Sequence, residues 1–148
     1  MSIPVGEGGI VVGAARSVHA EAIDIARDFL DALDRRDLAA ATALLAPQFG
    51  MRVTGGHRFV TLAEFVAYAA GRYASMRKSG RQYDACDAAL GVVVYAHGTM
   101  SGEWREGGSF QDVRWVDRFL IRDGRITELQ TLSEIGETGV DLGDHGRQ

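Results

Sequence analysis

The sequence predicts an α+β domain, with helices in its first half and a meander of long strands in its second. Three observations carry the prediction. Apolar residues as far as Met76 recur at the three-and-four spacing of buried helix faces, with stop signals between them. After Gly80 that period vanishes, and four stretches rich in Val, Tyr, Trp, Thr and Ile follow. Asp123-Gly124 is a two-residue hairpin turn, which needs positive φ at the glycine. Helices followed by strands, rather than alternating with them, argue against a βαβ architecture. A length of 148 residues suits one domain.

Residues 1–18 contain Pro4 and four glycines and read as a flexible lead; the glycine spacing matches no dinucleotide fingerprint. From His19 to Arg35, the residues Ala22, Ile23, Ala26, Phe29, Leu30 and Leu33 form one buried stripe of a first helix. Asp37 caps a second helix over Leu38–Leu45, and Pro47 ends it. Phe49–Thr54 reads as a strand, Gly55-Gly56 as a turn, and Arg58–Val60 as a short returning strand. Thr61 with Glu64 three residues on is a capping box. It starts a third helix that runs to about Met76 and buries Leu62, Phe65, Ala69, Tyr73 and Met76. The strands that follow are Arg81–Ala89, Val92–Trp104, Phe110–Arg122 and Arg125–Ile135; the domain is 19–135, and 136–148 is a polar, flexible tail.

Successive strand side chains point to opposite faces. In Phe110–Arg122 one set is Val113, Trp115, Asp117, Phe119 and Ile121, apolar except for one acid, so it must face the helices. An ionised carboxylate on an apolar face is costly unless paired or protonated. Asp117 is therefore the most informative residue in the chain. In Val92–Trp104 the inward set is Val92, Val94, Ala96, Gly98 and Met100, which leaves Val93, Tyr95, His97 and Thr99 outside. In the last strand periodicity alone does not decide between Leu129, Thr131, Ser133 and Glu128, Gln130, Leu132.

Composition removes several function classes. Hydrophobic residues make up 46% and charged residues 24%, as in ordinary soluble domains, and the net charge is −4. Lys and Arg are scattered, so there is no basic face for nucleic acid. No apolar run approaches the roughly 20 residues that span a bilayer. The short apolar stretch Ile10–Ala15 has no positive charge before it, unlike a secretory signal, so a cytoplasmic protein is expected. Cys86 is the one cysteine, which excludes an intramolecular disulfide and a thiolate cluster. No His, Asp or Glu cluster has metal-ligand spacing, and neither a metal nor another cofactor is expected.

The run Val116-Asp117-Arg118-Phe119-Leu120-Ile121-Arg122-Asp123-Gly124-Arg125-Ile126 resembles the late-strand signature of the SnoaL-like branch of the nuclear transport factor 2-like superfamily. Leu33-Asp34-Arg35-Arg36-Asp37-Leu38, followed by Leu44-Leu45-Ala46-Pro47, resembles that superfamily's link between its first two helices. With the element order, the likeness covers about residues 19–135. It implies a cystatin-like cone: a curved antiparallel sheet wrapped around N-terminal helices, open at one end. Members include ketosteroid isomerase, scytalone dehydratase, limonene epoxide hydrolase and polyketide cyclases; others only bind ligands or partners. Many are homodimers through the outer sheet face.

Carried over residue by residue, the oxyanion-hole aspartate of ketosteroid isomerase falls on Asp117, in agreement with the face derived above. Its pocket tyrosine falls on Phe29 and its general base near Val53, so one of three catalytic groups is present. Isomerisation of that kind needs a base within hydrogen-bond reach of the carbon acid, and none falls there. The late-strand acid of limonene epoxide hydrolase falls near Thr131, and the cyclase-type acid on that strand has no clear match. Both alignments put Thr131 and Ser133 inside.

Asp117 thus has two readings: a donor or acid–base group toward a substrate, or a carboxylate tied up by a hydroxyl, an arginine or water. Phe29, Met51, Met100, Trp115 and Phe119 read either as the wall of a small-molecule pocket or as plain core. Tyr68, Arg72 and Tyr73 sit on successive turns of the third helix, where a phenol can reach the cavity and Arg72 is a possible partner for Asp117. Trp104 is a candidate rim residue. His97 lies outside the cone and His57 in a loop at its mouth, and Cys86 has no histidine placed to activate it. The expected function is a small-molecule pocket for a hydrophobic carbonyl or hydroxyl compound. Asp117 would be its polar group, and Phe29, Met51, Val53, Tyr68, Tyr73, Met100, Trp115, Phe119, Thr131 and Ser133 its lining. A cofactor-free isomerase, cyclase, dehydratase or hydrolase is the first reading. A non-catalytic binding domain, or a partner like the β-subunit of ring-hydroxylating dioxygenases, is the alternative.

Overall fold

The chain enters the fold through helix α1 (Val18–Asp34), started by Ser17, whose side chain accepts a hydrogen bond from the Ala20 N–H at 3.0 Å. The computed structural model describes residues 16–135. Most of the N-terminal lead and all of the tail 136–148 lie outside the described residues. Helix α1 buries Ala22, Ala26, Phe29, Leu30 and Ala32, close to the stripe expected from its spacing. Helix α2 (Leu38–Thr42) is capped by Asp37, which accepts from the Ala40 N–H. It stops short of Leu45 because strand β1 (Leu45–Arg52) begins there, paired to Ile126. Pro47 lies inside β1, within the break in its ladder between Leu45 and Gly50. A residue without an N–H is tolerated where the ladder is interrupted.

Strand β2 (Arg58–Phe59) returns as a two-residue hairpin partner of β1. Helix α3 (Leu62–Arg72) has the full capping box between Thr61 and Glu64. It ends four residues earlier than its apolar spacing predicts. Tyr73 is already extended, with φ −114° and ψ 133°, and opens strand β3 (Tyr73–Ala88). The 16-residue strand starts opposite Trp104, and the Tyr73 and Trp104 rings stack with centroids 5.3 Å apart. Cross-strand pairing and ring stacking override the helical period here, as tertiary contacts commonly do. Tyr73 and Met76 are therefore strand residues, and Met76 is exposed.

Strands β4 (Gly91–Trp104), β5 (Ser109–Arg122) and β6 (Arg125–Ser133) complete a six-stranded sheet in the order β2-β1-β6-β5-β4-β3. Its neighbours are antiparallel apart from β1 beside β6, which makes the sheet mixed. Asp123 and Gly124 both have positive φ, 51° and 75°, the signature of the tight turn that joins twisted strands. The sheet is curved and unclosed, with α1 against its inner face; this is the α+β cone. The inward sets on β4 and β5 are those read from alternation: Val94, Ala96, Met100, Val113, Trp115, Phe119 and Ile121 are buried.

One irregularity positions the rest. Between the pairs Ser79–Thr99 and Gln82–His97, β3 spends two residues, Gly80 and Arg81, opposite the single Gly98 of β4. This is a β-bulge, and Gly80 takes φ +63° to make it. The extra residue changes which β3 side chains point inward: Lys78 before it, Tyr83 and Ala85 after it. At the bulge itself Arg81 turns toward α1 and pairs with Asp31 and Asp34.

Candidate functional site

A hollow of about 70 Å³ lies between α3 and the bent ends of the sheet. Phe65, Tyr68 and Arg72 border it from the helix, Lys78 from β3, Met100 and Trp115 from β4 and β5. Phe65 and Ala69, both half-buried, also line it, and Phe65 packs edge-on against Phe59 with ring centroids 5.9 Å apart. A wider groove of about 640 Å³ runs between α2, β1 and the start of α3. Its one charged lining side chain, Arg125, is bonded to the carbonyls of Ala43 and Leu45. The chemistry-bearing groups belong to the smaller hollow.

Behind Lys78, one layer beneath the lining of the hollow, stands Asp117, held on the inner face of β5 between Ala96 of β4 and Thr131 of β6. It is 1% exposed and is the one buried charged side chain among the described residues. Its Oδ2 accepts a hydrogen bond from Lys78 Nζ at 2.8 Å, and its Oδ1 has no hydrogen-bond partner. The cation at Asp117 is thus Lys78, not Arg72. The side chain of Lys78 is 17% exposed, and its Nζ lies 4.4 Å from the centroid of the Trp115 ring. A buried ion pair gains Coulomb energy but loses hydration, so its net contribution to stability is small. What it does supply is a proton donor and an acceptor in contact, away from bulk water.

The mouth is aromatic. Arg72 Nη1 donates to the Tyr68 hydroxyl at 2.7 Å, and its guanidinium lies 5.6 to 5.8 Å from the Tyr68, Tyr73 and Trp104 rings. Burial raises the Tyr73 phenol above its ordinary value, partly offset by the positive charge of Arg72. His57 packs against Tyr68 with centroids 5.0 Å apart.

Of the residues singled out from sequence, Val53, Tyr68, Tyr73, Met100, Trp115, Thr131 and Ser133 border the hollow. Asp117, Phe29, Met51 and Phe119 do not: Asp117 lies behind Lys78, and the other three are buried in the packed core, where Phe29 meets Phe119 edge-on at 5.8 Å. His97 lies on the outer face, 3.4 Å from the Asp84 carboxylate of β3, and Cys86 is exposed. Lys78 was missed because the apolar spacing carries the third helix to Met76 and the next strand is expected only from Arg81, which leaves Lys78 between elements, whereas β3 already begins at Tyr73. A signal did exist in composition: of 16 Lys and Arg residues, Lys78 is the one lysine. Among the described residues no three His, Cys, Asp or Glu side chains converge as metal ligands.

Residues 26–129 match the SnoaL-like domain family. The chain belongs to that family. Solved structures with the same fold include a nuclear transport factor 2-like protein of unknown function from Burkholderia pseudomallei. It is 18% identical, with a TM-score of 0.68, over 80% of this chain and 94% of that one. A candidate polyketide cyclase from Xanthomonas campestris is 19% identical, with a TM-score of 0.66, over 82% of this chain and 96% of that one. TerC, crystallised with polyporic acid, is 15% identical, with a TM-score of 0.66, over 80% and 95%. No curated protein matches the chain. Among the described residues, this SnoaL-like domain has no helix long and apolar enough to cross a membrane.

Proposed function

We propose that the hollow binds a small, largely apolar molecule carrying a carbonyl or hydroxyl group, and that Asp117 exchanges a proton with it without a cofactor. The chemistry would be of the isomerase, cyclase, dehydratase or hydrolase kind. The observation behind this reading is the buried Asp117–Lys78 pair with Asp117 Oδ1 left without a partner. Buried polar atoms are nearly always hydrogen-bonded, and exceptions concentrate where a ligand or a catalytic role completes them. Trp115, Met100 and Val53 would position the apolar body, and Tyr68, Tyr73, Thr131 and Ser133 would offer hydroxyls to its polar end. The family's link with polyketide cyclases and the co-crystallised TerC are in keeping with this.

Hydrogen exchange into small cyclic and aryl ketones in D2O, followed by proton NMR, tests the reading. Wild-type protein should speed loss of the α-hydrogen signals, and Asp117→Asn should lower that rate by about 100-fold or more, the usual worth of a general base. An Asn variant that keeps the full rate removes Asp117 from the chemistry.

The outer sheet face favours a further element of the proposal, pairing with a second copy. Tyr95 and Leu132 are 38% and 53% exposed there, whereas Val93 and Leu120, expected on the same face, are buried. Sedimentation of wild type and of Tyr95→Asp/Leu132→Asp tests this; a wild-type monomer at micromolar concentration rules it out. A wild-type monomer that associates with a different subunit would favour the partner-domain alternative.

A further inference from the structure

We propose that Lys78 is an amine nucleophile, which condenses with the carbonyl carbon of an aldehyde or ketone in the hollow to give an iminium, while Asp117 moves the protons. This rests on the reading of the hollow as a carbonyl site.

The choice of residue is the first argument. Every other basic side chain of the Lys/Arg kind in this sequence is arginine. Where the fold needs only a cation it uses one: Arg81 for Asp31 and Asp34, Arg114 for Glu134, Arg118 for Glu128. A guanidinium cannot give up its proton in a protein, whereas an ammonium can and then becomes a nucleophile. The one side-chain amine borders the hollow and pairs with the one buried acid among the described residues, which lies behind it. Its surroundings are the second argument. Lys78 is largely withdrawn from water and lies against the Trp115 ring, and desolvation is one of the ways a lysine is activated. The third is the acceptor: Asp117 Oδ2 is 2.8 Å from Nζ, so the proton has a place to go without passing through solvent.

The step balances. Lys78 gives one proton to Asp117 and becomes a neutral amine. Its lone pair forms a C–N bond to the carbonyl carbon as the C=O π pair moves to oxygen. A second N–H proton and the one held by Asp117 leave with that oxygen as water. The product is a C=N bond bearing one N–H and a positive charge, with the Asp117 carboxylate as its counter-ion. Nothing is oxidised or reduced.

Reductive trapping tests this on the full chain. The protein is incubated with benzaldehyde and cyanoborohydride at neutral pH, and N-benzylation is located by peptide mass spectrometry. An ordinary exposed lysine lags the α-amino group, because its ammonium holds a proton to about pH 10.4 and the α-amino group only to about 7.7–8.0. Lys78 is expected to be labelled about tenfold faster than the α-amino group, through the desolvation and base that activate lysine nucleophiles. Lys78→Arg, which keeps the charge, should leave the α-amino group as the labelled site. Binding is followed separately by the NMR shift of the Trp115 indole. If the indole shifts but Lys78 is labelled no faster than the α-amino group, the nucleophile proposal is overturned and the carbonyl site survives. If neither is seen, both are overturned.

Discussion

Lys78 and Asp117 meet across two strand boundaries: the amine leaves β3, passes over β4, and ends 2.8 Å from the carboxylate of β5. Neither is opposite the other in the ladder. Lys78 pairs with Met100, and Asp117 pairs with Ala96. The contact therefore depends on the bend of the sheet as well as on the residues.

Removing the amine strands a buried carboxylate. Lys78→Met should destabilise the domain by about 3–5 kcal/mol, the usual penalty for breaking a buried pair from one side. Lys78→Met/Asp117→Leu should recover most of that, because no unpaired charge is left. Urea unfolding of the three proteins measures it, and a single variant as stable as wild type would show that the carboxylate finds water or another donor.

Much of this was legible in the sequence, and what was not has a physical cause. Alternation in β5 put Asp117 on the inner face because the strand is regular across its whole inward set. The capping box at Thr61 and the Asp123-Gly124 turn are local chemistry and were readable as such. The end of α3 was not, because Tyr73 and Met76 extend the helical period while their contacts lie with β4, distant in sequence. Lys78 escaped for the same reason: with the helix carried to Met76 and the strand expected only from Arg81, no alternation is read across Lys78, although β3 already runs through it. Phe29, Met51 and Phe119 are inward and apolar, yet burial alone does not separate a cavity wall from solid core.

Gly98 sits where β4 passes closest to that bulge. A Cβ there would lie 2.4 Å from the Ser79 carbonyl oxygen and 3.1 Å from that of Gly80, both backbone atoms that cannot swing aside. Gly98→Ala should cost about 1–3 kcal/mol, as overpacking does, and should weaken ligand binding by shifting Lys78. Thermal unfolding and titration of the same variant check both parts; unchanged affinity would disconnect the bulge from the site.

Phe29 offers the opposite contrast. It fills the core against Phe119 and does not border the hollow. Phe29→Leu should lower stability by about 2 kcal/mol and leave the affinity for a small ketone unchanged. A variant that loses binding while retaining its melting temperature would put Phe29 in the wall after all.

Glu134 gives the chain a readable acid response. The Arg114 guanidinium, and then its backbone N–H at 3.0 Å, hold the Glu134 carboxyl down to about 2 from an ordinary 4.5. A carboxyl that binds protons less readily when folded stabilises the fold above its unfolded value and loses that contribution as pH falls through the folded one. The stability gap between wild type and Glu134→Gln should therefore be full above pH 4.5 and close as pH approaches 2. Arg114 is largely exposed, so solvent screening keeps the gap small. Denaturant titrations at several pH values measure it, and a gap constant with pH would show that the pair contributes nothing.

The bulge in β3 has a consequence for solubility as well. β3 is the outermost strand on its side of the sheet, and an unbroken sixteen-residue margin of free backbone groups would invite other chains to add to it as further strands. The kink at Gly80 and Arg81 divides that margin into two shorter runs that do not lie in one line. The distortion that delivers an amine to the interior thus also guards the molecule's rim against fibrous assembly.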